Sequence, residues 1–168
     1  MIEINNLMKE KIDKRFLEKI AKIVLEGEGL EKENISIAFI DGKTIKKINK
    51  KYRGKNKETD VLSFQYTSKF KTQMSKPQLK TQNFLQKKED NFLGEVVICS
   101  EAVKKNAKNL DLSYNKPSVA FSKKAVPDKE LARVLIHGIL HIIGYDHERS
   151  KTEAEKMEKK QEYYLKRL

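Results

Sequence analysis

Tryptophan is absent from this chain of 168 residues, cysteine occurs once, and histidine and proline occur three times each. The single cysteine, Cys99, excludes an internal disulfide and with it the disulfide-stapled class of small secreted scaffold; it reads as a small buried side chain. No apolar run reaches the length of a membrane span. The opening MIEINNLMKEKIDK has neither an apolar stretch nor a small-residue cleavage pattern, so the expectation is a soluble, cytoplasmic protein. Arginine is scarce as well, with five against 31 lysines and 24 acids, for a net charge of +12. That charge suits a polyanionic partner such as nucleic acid, although a lysine-rich solvated surface gives the same number. At 38% hydrophobic residues, the chain can build one core of ordinary size, and a single domain over residues 1–168 is expected.

What is present alternates between two periodicities. Apolar residues at Leu7, Ile12, Phe16, Ile20, Ile23 and Val24 predict an amphipathic helix over Leu7–Leu25, ended by Gly27 and Gly29. ISIAFID (35–41), DVLSFQY (60–66) and LGEVVICS (93–100) read as strands, and the opening MIEIN adds a fourth. GKTIKKINKKY reads as a helix with Ile45, Ile48 and Tyr52 inward. Further helices are expected from Glu101 to Asn109, from about Asp128 onward, and over Glu153–Leu168. Residues 67–92 and 111–127 are read as long inserted loops, the first carrying six lysines and no acid between Thr67 and Lys88 and favouring disorder. The fold class is α/β, a small mixed sheet of about four strands with helices packed on it.

All three histidines fall within HGILHIIGYDH, residues 137–147. His137 and His141 are four apart and so share one face of a helix. The helix around them, VLIHGILHII, is otherwise aliphatic or glycine and must be largely buried. A lone buried histidine is usually a satisfied core residue. Two at this spacing bring polar groups whose burial without partners costs about 1–3 kcal/mol each, and a metal ion satisfies both. His147 would face away on a continued helix, but Gly144 can take a left-handed conformation, end the helix and let the chain fold back toward the pair. The result, H-x-x-x-H-x-x-G-x-x-H, is a three-imidazole site for one Zn2+ ion, with its fourth position left for water as in catalytic zinc centres. The spacing equals that of the metzincin peptidases, H-E-x-x-H-x-x-G-x-x-H, with Gly138 in the place of the glutamate base. A metallopeptidase is therefore disfavoured. Position 138 is expected to face the approaching substrate.

HGILHIIGYDH, preceded by KYRGKNKETDVLSF and LGEVVICS, resembles the YbeY family of bacterial single-strand-specific metallo-endoribonucleases. The three blocks occur in that family's order between Ile35 and His147. Glu58 and Gln65 stand where the family has prolines, and Glu95 where it has aspartate. The resemblance implies a zinc-dependent endoribonuclease acting on single-stranded RNA in ribosomal RNA maturation, at the 3′ end of the small-subunit RNA, and in ribosome quality control, with the small subunit as partner. The other readings are a ribosome-assembly factor whose zinc is structural, and the peptidase.

Beside a zinc site the basic turn KKYRGKNK gains a chemical sense. A phosphodiester needs a cation for the charge that develops on its non-bridging oxygens, and a guanidinium answers it with two-pronged geometry. Arg53 is the candidate catalytic residue, with Lys50, Lys51, Lys55 and Lys57 as backbone attractors. Two roles are open for Asp60, bracing this loop or supporting a zinc-bound imidazole; Asp146, next to a ligand, is a candidate to orient water or an imidazole. Tyr52 and Phe64 are core residues or stacking platforms for bases.

Overall fold

The computed structural model describes residues 1–66, 91–113 and 125–168. Its elements follow in the order β1 (Ile2–Asn6), α1 (Lys14–Gly27), β2 (Asn34–Phe39), α2 (Gly42–Arg53), β3 (Val61–Gln65), β4 (Phe92–Ile98), α3 (Ser100–Ser113), α4 (Ala125–Ile142) and α5 (Lys151–Leu165). The four strands form one mixed sheet in the order β1-β2-β4-β3, with β1, β2 and β4 parallel and β3 antiparallel to β4 at one edge. The α/β class and the mixed four-stranded sheet are thus as the sequence indicates.

Helix starts follow local chemistry. Asp13 and Asp41 accept hydrogen bonds from the backbone N–H groups of Phe16 and Thr44, and Ser150 does the same for Glu153. The first of these caps corrects the expected N-terminal helix, which begins at Lys14 and not at Leu7. Between β1 and Asp13 the side chain of Asn6 accepts from the Met8 N–H and donates to the Glu10 carbonyl. That turn chemistry outcompetes the helical spacing of Leu7 and Ile12. The flanking elements also reach further than expected: β4 starts at Phe92, α3 runs on to Ser113 and α4 begins at Ala125. The disorder expected over Thr67–Lys88 lies outside the described residues.

The alternation of strand side chains divides the core in two. Ile35, Ile37, Phe39, Val96 and Ile98 face α1 and α4, meeting Leu17, Ile20, Leu135, Ile136, Ile139 and Leu140. Ala38, Ile40, Leu62, Val97 and Cys99 face the other way and take Ile45 and Ile48 of α2. Cys99 is fully buried, as its residue type suggested. Burying an aliphatic side chain of this size stabilises by about 1.5–3 kcal/mol, so the sheet anchors α4 firmly. No helix among the described residues is long and apolar enough to cross a membrane.

Candidate metal centre at the end of α4

α4 carries His137 and His141 on one face, and the chain after it brings back the third imidazole. The Tyr145 N–H bonds the Leu140 carbonyl at 3.0 Å and the Gly144 N–H bonds that of His141 at 3.2 Å. This paired closure of a helix end requires a left-handed residue, and Gly144, with φ +104°, supplies it. His147 then stands over the pair. Ring centroids of the three imidazoles lie 4.7, 5.1 and 4.9 Å apart, and one nitrogen from each falls within 4.8 Å of the others. The three histidines can hold a metal ion.

The donor set fits zinc. Around a tetrahedral ion with Zn–N bonds of about 2.0–2.1 Å, neighbouring nitrogens sit about 3.3 Å apart; His137 Nε2 and His141 Nε2 are 3.2 Å apart. Burial, with the neighbouring His141, pushes His137 down to about 4. Burial also holds His141 below the ordinary imidazole value, and the neighbouring His147 and Arg53 act in the same direction. Both rings therefore offer neutral nitrogens at pH 7, as ligation requires. Gln161, on α5, completes the geometry: His137 Nδ1–H donates to its Oε1 at 3.0 Å, which leaves the His137 Nε2 lone pair directed at the other two rings. Nothing in the pattern MEKKQEYY distinguishes Gln161 from its polar neighbours, and it was legible only once α5 had docked.

Arg53 ends α2 on the far side of β3, yet it reaches the same rim. Its Nη2 donates to Glu148 Oε1 at 2.9 Å, directly after His147, with the two side chains 43% and 60% exposed. Glu148 is a second residue that the sequence alone did not single out. Asp60 and Asp146 resolve toward bracing. Asp60 accepts from the Val61 N–H and the Thr59 hydroxyl on one oxygen and from Asn106 Nδ2 on the other. Asp146 accepts from the Glu148 N–H, which holds its carboxyl below the usual range, and pairs with Arg149. Tyr52 is half exposed and meets the half-buried Phe64 edge to face at 5.3 Å.

Gly138 departs from expectation. It does not face the rim but the sheet, where an added Cβ would lie 2.7 Å from Val96 Cγ1, 3.2 Å from Ser63 Oγ and 3.3 Å from Val61 Cγ2. Helix and sheet approach too closely here for a side chain. The glycine is therefore a packing requirement, and no glutamate could stand at 138 without moving α4 off β3 and β4.

A sequence profile described as "Endoribonuclease YbeY" matches residues 3–168. The chain belongs to the YbeY endoribonuclease family. Proteins named Endoribonuclease YbeY include relatives from Persephonella marina, 38% identical over 87% of this chain and 77% of that one, and Petrotoga mobilis, 34% identical over 98% and 92%. Among solved structures, the solution structure of TM1509 from Thermotoga maritima superposes with a TM-score of 0.56 at 26% identity, covering 98% of this chain and 87% of that one. Membership in the YbeY family supports a nuclease role, and the imidazole cluster supplies a place for the metal on which such chemistry can rest.

Proposed function

We propose that this protein is a zinc-dependent endoribonuclease for single-stranded RNA, working in the cytoplasm as one domain over residues 1–168. Its expected role is maturation of the small-subunit ribosomal RNA 3′ end and ribosome quality control. His137, His141 and His147 hold one ion per chain, and Arg53 is the catalytic cation. The observation that carries this reading is the convergence of three imidazoles beside an exposed guanidinium, in a chain of an endoribonuclease family.

A zinc ion on this donor set would supply Lewis acidity toward a phosphate oxygen and a bound water of lowered pKa. The protein's own groups do the rest. Gln161 fixes the His137 tautomer, and burial keeps His137 and His141 unprotonated at neutral pH. Arg53 donates to the non-bridging oxygens of the scissile phosphate. To do so it must leave Glu148, which is easily done, since an exposed ion pair of this kind contributes about 0–1 kcal/mol. Lys50, Lys51, Lys55 and Lys57 draw the RNA backbone to the rim through long-range charge.

Metal analysis of the purified protein, run beside cleavage of labelled single-stranded RNA and of casein with and without chelator, tests the reading. One zinc per chain and chelator-sensitive RNA cleavage with intact casein are expected. Each of His137→Ala, His141→Ala and His147→Ala should lose stoichiometric zinc. RNA binding without cleavage at full zinc occupancy would favour the assembly factor instead, and casein cleavage the peptidase.

A further inference from the structure

From Ala132 to Ile142, α4 exposes one stripe only. Val134, Leu135, Ile136, Ile139 and Leu140 are buried, whereas Arg133, His137 and His141, at successive intervals of four, are half-exposed. The stripe that carries the imidazoles therefore continues toward the start of the helix, and Arg133 is its next polar group, about 6 Å along the axis from His137. Its positive charge reaches that ring and disfavours its protonation.

Arg133 is a held cation. The side chain of Glu130, 6% exposed, grips it from one turn earlier, with Arg133 Nε donating to Oε2 at 2.9 Å and Nη2 to Oε1 at 2.5 Å. This two-pronged contact occupies one edge of the guanidinium, which is itself 43% exposed. Of its five N–H donors three remain, and among the described residues no acceptor takes them. Asp60 is the other acid within electrostatic reach, but its oxygens are engaged by Val61, Thr59 and Asn106. A planar cation with one edge locked by a buried carboxylate and the other open presents parallel donors suited to two oxygens of one phosphate.

We propose that Arg133 forms a second anion subsite beside the metal centre, binding the RNA phosphodiester group next to the scissile one. Glu130 is its positioning residue. The inference rests on the endoribonuclease reading. RNA laid across the imidazoles would run along the α4 stripe, so Arg133 engages the chain on one side of the cut only. Because Glu130 and Asp60 offset its charge, the subsite is a point of registration more than a source of general affinity.

The test uses Arg133→Gln, whose amide keeps a donor for Glu130, and a single-stranded RNA oligonucleotide with one cut position. In two further oligonucleotides the phosphate one step 5′ or one step 3′ of the cut is replaced by an uncharged methylphosphonate. The zinc-loaded wild type should lose about tenfold in kcat/KM on one of the two, the scale of one hydrogen bond to a charged group. Arg133→Gln should lose about tenfold on the unmodified oligonucleotide and nothing further on the sensitive one. In binding assays on the metal-free proteins, the salt dependence of log affinity should flatten in the variant by about 0.7, the contribution of one phosphate of a single strand. Losses that multiply, or a wild type indifferent to both substitutions, would overturn the proposal. A folded, zinc-loaded wild type that cuts none of the oligonucleotides would remove the endoribonuclease reading itself.

Discussion

Adding one methyl group at Gly138 measures how closely α4 is set on the sheet. Alanine would gain about 1 kcal/mol over glycine from helix propensity alone. Against this, its Cβ would stand 2.7 Å from Val96 Cγ1, inside van der Waals contact, with Ser63 and Val61 also near. Val96 is fully buried and β-branched, so it cannot swing aside, and overpacking of this kind costs about 1–3 kcal/mol. The net expectation for Gly138→Ala is a loss of about 1 kcal/mol, read by urea denaturation of the metal-free protein. Val96→Ala should by itself cost about 1–3 kcal/mol as a large-to-small change in the core. In the double variant the methyl at 138 fills the space vacated at 96, so the two losses should fall short of additivity by about 1 kcal/mol. The same reasoning forbids restoration of a peptidase base: Gly138→Glu would force a carboxylate between Val96 and Val61 and should leave the chain largely unfolded by circular dichroism. A Gly138→Ala protein more stable than wild type, with additive losses in the cycle, would show that α4 has room at this point and would refute the packing account.

Arg53→Ala should retain zinc and its melting temperature while losing about 3 kcal/mol of transition-state stabilisation, on the order of a hundredfold in kcat, and Arg53→Lys should recover part of it. An Arg53→Ala protein with intact turnover would return this residue to the basic patch. Gln161→Leu, which keeps the volume but removes the acceptor of His137 Nδ1–H, should weaken zinc binding about tenfold in chelator competition, and unchanged affinity would take Gln161 out of the metal's support. The metal-free protein should lose stability as pH falls. His137 is held at about 4 in the folded chain against about 6.5 unfolded, so between those values the unfolded state binds more protons, and the loss grows to about 3 kcal/mol by pH 4. Denaturation midpoints measured from pH 7 to pH 4 check this: the slope should fade above pH 7 and be clearly smaller in a His137→Gln variant, the remainder coming from His141, which burial also holds low, and from Asp41.

Local chemistry determined a good deal of this protein. The i, i+4 spacing of His137 and His141, followed by Gly144 and His147, is a local construction: a helix face and a glycine-closed helix end suffice to bring one nitrogen of each imidazole within 4.8 Å of the others. The caps at Asp13, Asp41 and Ser150 and the period-2 apolar runs of the strands are local in the same sense. Tertiary structure decided the rest, because those features depend on partners distant in the chain. The parallel order β1-β2-β4 comes from packing helices on both faces of the sheet, and no hairpin turn encodes it. Gln161 reaches His137 across 24 residues and Glu148 reaches Arg53 across 95, so both pairings exist only once α5 and α2 are docked. Gly138 shows the limit most clearly. A helical wheel puts it one step of about 100° from His137, where it can face the substrate or the sheet. The contact of α4 with Val96 and Val61 turns it to the sheet, since close packing there yields more buried apolar surface than any local preference can oppose.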